Sequence, residues 1–258
     1  MNAAEIAAYV GAGAWLPQIA TWIYRSVVRP VVTLVPEETA QIGFTSYGPI
    51  FNLQLALASS RVDAIIDGIQ LSIRHTDGDS RLFRWYGLNE TFSEVRDMTG
   101  NRQQTVGRDQ VPIALKIGTA SLVEKFVRFQ IPRYHESDRK LMANLVAHFN
   151  HLKRTDSDYV QRTLQSRELF DVLEARRQAF WWKAGRYEVT IQLSSMAKLN
   201  FPKDRLHFEL TSADIERLRQ NIDVIRLELE NAIKSNAPNF QAEPVAWNWA
   251  NAEVGRPA

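Results

Sequence analysis

The sequence has no cysteine, which excludes a disulfide scaffold, a thiolate metal site and a cysteine nucleophile together. Charge imbalance is also small: 31 Lys+Arg stand against 29 Asp+Glu, a formal net charge of +2. Capture of nucleic acid by phosphate neutralisation needs a broad basic surface, so nucleic acid is not an expected partner. Only 12 Gly and 10 Pro are spread over 258 residues, too few for a collagenous or linker-like chain. Common signatures of chemistry are missing too. No G-x-x-x-x-G-K-[ST], no strand-following G-x-G-x-x-G and no H-E-x-x-H occurs, which removes the usual patterns for nucleotide binding and zinc proteolysis. Ser46 lies two positions before Gly48, but Phe44 occupies the position two before it, so the G-x-S-x-G elbow is absent. What is present is a hydrophobic fraction of 45% on a chain long enough for one large domain or two small ones.

From Ile6 to Tyr24 the chain runs for about 19 residues without a formal charge, bounded by Glu5 before it and by Arg25 and Arg29 after it. A secretory signal peptide needs a positive leading region; this chain opens Met-Asn-Ala-Ala-Glu, so cleavage and export are not expected. Asn2 and Glu5 stand at capping-box spacing and start a helix near Ala3. Pro17 falls at its middle, and Gly11, Gly13, Gln18 and Thr21 dilute its hydrophobicity. Trp15, Trp22, Tyr9 and Tyr24 are the residue types that favour a membrane interface, while Arg25 and Arg29 put the following chain on the cytoplasmic side. Residues 1–28 therefore read as a membrane-associating apolar helix, spanning or interfacial. The same residues suit a helix buried in the protein core or in an oligomer contact.

After Pro30 the periodicity changes to two. Val31–Val35 and Gln41–Ser46 are short strand candidates separated by Pro36. Phe51, Leu53, Leu55 and Leu57 alternate with Asn52, Gln54 and Ala56, as one buried and one wetter face require. Ile69, Leu71 and Ile73 repeat the pattern, and His75-Thr76-Asp77-Gly78-Asp79 supplies a hairpin turn into Leu82–Trp85. A polar loop is expected over 91–110, followed by strands around Val111–Ile117 and Phe126–Ile131. Later, Tyr187, Val189, Ile191 and Leu193 alternate with polar neighbours, as do Leu206, Phe208 and Leu210.

Between these strand groups the period becomes helical. Leu141, Met142, Leu145, Val146, Phe149 and Leu152 form an apolar stripe behind a Ser137 cap, giving a helix over Glu136–Lys153. A second helix is expected over Asp156–Phe180. A long helix follows from about Ser212 to Ile233, with Ile215, Leu218, Ile222, Ile225 and Leu229 at heptad spacing. That stripe is read either as a dimer seam or as a face packed on the sheet. The expected fold is thus mainly β with α decorations: an antiparallel immunoglobulin-like or arrestin-like β-sandwich over 29–234. It carries a two-helix insertion at about 135–181 and a long C-terminal helix, and is preceded by the apolar helix. Residues 235–258 form a tail with Pro238, Pro244, Trp247 and Trp249.

Four groups carry chemistry worth weighing. Arg176, Arg177, Phe180, Trp181, Trp182 and Lys183 set bases around consecutive aromatics, a group suited to lipid headgroups, to a partner, or to a buried junction with its cations in water. Ser137 and Lys140 fit the letter of S-x-x-K without its S-D-N and K-T-G companions. His148 and His151 share a helix face, but Lys153 and Arg154 beside them oppose a cation, so no metal or other cofactor is expected. Asp77 and Asp79 resemble part of a calcium loop whose final glutamate is missing.

The reading is a non-enzymatic, membrane-associated interaction or scaffold module facing the cytoplasm. Its partners are a lipid surface and a protein. Membrane contact is assigned to Trp15, Trp22, Tyr24, Arg25 and Arg29, and a further contact to Arg176, Arg177, Trp181, Trp182 and Lys183. A soluble assembly subunit using the N-terminal helix as an oligomer contact is the alternative. A second alternative is an enzyme with an uncommon site around Ser137, Lys140, His148 and His151. Fold class alone names no partner.

Overall fold

The computed structural model describes residues 15–24, 27–96, 102–202, 204–237 and 240–256, with backbone alone over 89–96 and 102–110. The expected helix start near Ala3 and Arg25 lie outside the described residues. The described part of the first helix, α1, covers residues 15–24. It is followed by β1 (Val31–Thr45), β2 (Gly48–Ser60), β3 (Ala64–Ile66), β4 (Gly68–His75), β5 (Ser80–Arg96), β6 (Arg102–Gln110), β7 (Leu115–Ile117) and β8 (Leu122–Gln130). Then come α2 (Pro132–Thr155), α3 (Tyr159–Leu164), α4 (Arg167–Gln178), β9 (Gly185–Ser194), β10 (Asp204–Leu210), α5 (Ser212–Arg219), α6 (Asn221–Lys234) and β11 (Trp249–Glu253).

The chain is mainly β and antiparallel, but its strands do not divide into the two stacked sheets of an immunoglobulin-like or arrestin-like sandwich. Nine of them form one sheet, in the order β10-β9-β4-β5-β8-β2-β1-β11 with β6 paired to β5 off this path, and β3 and β7 make a separate two-stranded sheet. The two edges of the large sheet meet through a single antiparallel bridge, His207 to Gly255, with N–H···O distances of 2.8 and 3.0 Å. Arg256 reinforces the gap by donating to the Leu34 carbonyl at 2.9 Å and to Asp204 at 3.0 Å. The result is a nearly closed barrel. The alternation that predicts half-buried strands is the same for a sandwich and a barrel, so it could not distinguish them.

Register explains the core. Phe51 lies opposite Ile42 on β1 and Phe129 on β8, and Leu53 lies opposite Ala40 and Val127. The same face continues through Leu71, Ile191 and Leu206, all buried. Phe51 and Phe208 meet across the barrel with ring centroids 5.4 Å apart, so side chains fill the interior, as in small barrels of this strand number. Each fully buried Leu or Phe contributes about 1.5–3 kcal/mol through removal of apolar surface from water.

Helices connect strands at one end, here the upper end: α2–α4 join β8 to β9, and α5–α6 join β10 to β11. Leu145, Leu169, Val172, Leu229 and Ile233 give this lobe a core of its own. The lower end carries α1, the small β3/β7 sheet and the β9–β10 loop.

Several expected boundaries change. β1 is one strand with a bulge between Pro36 and Ala40 rather than two strands. The expected polar loop over 91–110 contains a ladder in which β6 pairs with β5. α2 begins at Pro132, not behind Ser137, because proline preorganises the first helical position. The expected 156–180 helix is broken before Ser166, whose side chain accepts from the Leu169 amide and caps α4. The C-terminal helix, expected from about Ser212 to Ile233, is capped by Thr211 through a capping box with Asp214 and divides at Gln220. The expected tail contains the stave β11. The Asp-Gly hairpin forms as expected, with Gly78 at φ 94°.

Candidate functional site

Every described residue of α1 is exposed. Trp15, Leu16, Ile19, Trp22 and Ile23 all face solvent, Trp22 at 71%. The Thr21 hydroxyl donates to the Pro17 carbonyl at 2.7 Å, which satisfies that hydroxyl within the helix and lowers its cost in an apolar medium. Among the described residues no helix is long and apolar enough to cross a membrane.

The end of the barrel from which α1 departs is itself apolar at its rim. Met196 in the β9–β10 loop is 95% exposed and Ile113 before β7 is 88% exposed, and Ile65, Val111 and Leu122 are exposed as well. Isolated exposed apolar residues are ordinary; here Ile65 and Met196 line one groove. Between α1 and this rim lies a groove of about 880 Å³, lined by Tyr24, Val27, Arg29, Arg61, Ile65, Met196 and Lys198 among others. Hydrogen bonds hold the segments that line it. The Asn200 amide donates to the Pro30 carbonyl at 2.9 Å and the Val32 amide to the Asn200 carbonyl at 3.0 Å. Ser59 Oγ donates to the Val62 carbonyl at 2.8 Å, closing the β2–β3 turn.

At the upper end the basic–aromatic cluster of the sequence is mostly inside the molecule. Trp181 and Trp182 are buried in the barrel core, donating through Nε1 to Asp79 at 2.9 Å and to the Gly43 carbonyl at 2.8 Å. Arg176 is buried and makes a two-pronged ion pair with Asp138, at 2.7 and 3.1 Å. Arg177 pairs with Glu174 at 3.0 Å and Lys183 with Asp77 at 2.6 Å, both near the surface. The Lys183 hydrogen bond, with the Asp79 amide and His75, holds the Asp77 carboxyl well below the usual carboxylate range. Asp77 and Asp79 therefore lock the hairpin to the 181–183 segment. As a lipid or partner surface the cluster is corrected: only Arg177 and Lys183 are accessible, and both have carboxylate partners.

The remaining expected residues separate. Ser137 lines a cavity of about 380 Å³ with Tyr134, Asp138, Arg176 and Trp181. Lys140 and His151 are exposed on α2, and His148 lies 3.7 Å from Glu168. Lys140 and His148 are eight positions apart, about 12 Å along the helix, so these four groups do not form one constellation. Among the described residues no group of three metal-ligating side chains occurs. The heptad stripe is buried within the chain: Ile215, Leu218 and Ile225 in the barrel core with Ile222 packed beside them, and Leu229 in the helical lobe. It is the packed-face reading of that stripe, not the dimer seam, that the fold uses.

Arg61, Lys198 and Met196 escaped the sequence reading, since they sit in connections without periodicity. Ile113, expected in a strand over Val111–Ile117, instead lies before the shorter β7 and is exposed. No protein-family model matches this chain, and neither the curated proteins nor the solved structures contain a detectable match.

Proposed function

We propose that this chain is a membrane-associated interaction module, held by α1 and the preceding residues with the barrel on the cytoplasmic side. The observation that carries the reading is that α1 exposes Trp15, Leu16, Ile19, Trp22 and Ile23 at the same end of the barrel as the exposed rim of Met196, Ile113 and Ile65. Indole and phenol side chains suit the headgroup boundary, and Arg29 lies on the barrel side of the helix, as does Arg25 in the sequence. Binding is assigned to the outer surface because side chains fill the barrel interior. The helical lobe at the opposite end, with Val146 and Phe170 exposed, is the part directed away from the bilayer and towards a protein partner.

The test is fractionation of the full chain beside a variant lacking residues 1–28, with a carbonate wash. The full chain is expected to stay with the membrane, and the shortened one to be soluble with the circular dichroism of an intact barrel. Solubility of both would overturn the proposal and transfer α1 to the alternative role, an oligomer contact in a soluble assembly.

A further inference from the structure

We infer that the α1 end of the barrel is a site for anionic phospholipid: Arg29, Arg61 and Lys198 receive headgroup phosphates at the groove while Met196 and Ile65 enter the acyl boundary. The inference rests on the membrane reading above and adds a lipid class to it.

Three separate segments deliver the cations, the stretch after α1, the β2–β3 turn and the β9–β10 loop, and all three line the same groove. Among the described residues none of the three has a carboxylate partner, whereas Asp63, the acid of the groove, is held by Lys116 at 3.3 Å and by the Thr119 amide at 3.1 Å. The groove thus offers positive charge with its own acid already engaged. Some exposed cations elsewhere, such as Arg177, Lys183, Arg205 and Lys234, lie within ion-pair distance of acids, while among the described residues Lys140 and Arg154 stand singly on α2; what sets the groove apart is the convergence of three cations from separate segments.

Arg61 adds an independent observation. Its φ is +75°, the one positive value among described residues other than glycine. That left-handed conformation is disfavoured for side chains with a Cβ and is usually taken by Gly or Asn. Strain of this kind gathers where a side chain has a task beyond stability. Here the turn aims a long cation into the groove. A soluble anion would need the charges alone; the flanking Met196, Ile65 and Val27 suit an amphiphile whose phosphate and acyl chains enter together.

The experiment uses the full chain, α1 intact, floated with phosphatidylcholine vesicles with and without phosphatidylglycerol. Tighter association with the anionic vesicles is expected, reduced by salt, since exposed charges are screened within about 8 Å at physiological ionic strength. Arg61→Gly and Lys198→Gln should each weaken the anionic preference about fivefold, the effect of one cation near such a surface, and leave phosphatidylcholine binding unchanged. Arg61→Gly is suited to the test because glycine accepts the same backbone without strain, so a folding defect does not confound it. Met196→Asp should weaken binding to both vesicle types. Equal flotation with both lipids, insensitive to Arg61→Gly and Lys198→Gln, would overturn the inference and leave the α1 anchor standing. Flotation with neither would overturn the anchor itself.

Discussion

At the scale of single residues, the most consequential group is the Arg176–Asp138 pair. It joins α4 to α2, and the buried Nη1 of Arg176 has no hydrogen-bond partner of its own. Removing the carboxylate strands a buried guanidinium, so Asp138→Ala should cost about 3–5 kcal/mol in urea unfolding. Replacing both partners by apolar residues of similar volume should recover most of that loss, because the desolvation penalty leaves with the charges. Tyr187 offers a second check. Its hydroxyl donates to the Lys183 carbonyl at 2.8 Å and accepts from the Lys183 amide at 2.7 Å, and burial pushes its phenol up to about 12. The unfolded phenol ionises near 10 while the folded one stays neutral. Stability from this group is therefore complete below pH 10 and is lost as pH rises from 10 to 12. The loss should approach about 2–3 kcal/mol, and Tyr187→Phe should flatten that alkaline limb in stability measured against pH. At this scale the sequence was least informative. Arg176 and Lys183 share a basic run, yet one is buried and the other half-exposed, and only the approach of Asp138 and Asp77 from distant segments separates them.

At the scale of elements, the junction of β1 with β11 is the most tightly specified. Trp249 lies over Gly43, whose carbonyl also accepts from Trp182. A Cβ at Gly43 would collide with the Trp249 ring, so Gly43→Ala forces the indole out. The expected cost is about 1–3 kcal/mol, read as a lower urea midpoint. The strands with large alternating residues, such as Phe51 to Leu57 and Tyr187 to Leu193, were legible because the pattern repeats over several positions. β11 was not, since its inward positions are Ala250 and Ala252, too small to stand out beside the surrounding Pro and Trp. The long C-terminal helix was legible as a stripe. Its division was not, because Asn221 is buried by clamping the backbone of Asn248 in both directions, at 2.8 Å each, a partner far along the chain.

At the scale of the whole molecule, composition and period gave a mainly β chain with helical decorations, while closure of the sheet depended on one bridge between residues that no local pattern connects. The apolar N-terminal segment was legible for the same reason that it stands out in the fold: it contains more apolar surface than the barrel covers. The rim that accompanies it was not legible, because only the fold brings the β9–β10 loop, the segment before β7 and β3 to the same end. Since β1 begins at Val31, beyond the removed segment, the variant lacking residues 1–28 should unfold at the same urea midpoint as the full chain. A lower midpoint would mean that α1 supports the barrel rather than anchors it.

Pairing of Thr39 with Glu253 also has a consequence during synthesis. Roughly 200 residues separate the two staves, so at about 5–20 residues per second β1 waits on the order of 10–40 s for its neighbour. Throughout that interval its outer edge presents unpaired backbone groups to other nascent chains. The bulge at Pro36, with Glu37 and Glu38 beside it, places a kink, a missing donor and two negative charges along that edge, the combination that discourages intermolecular strand addition. The irregularity in β1 thus guards the unfinished chain until β11 arrives to close it.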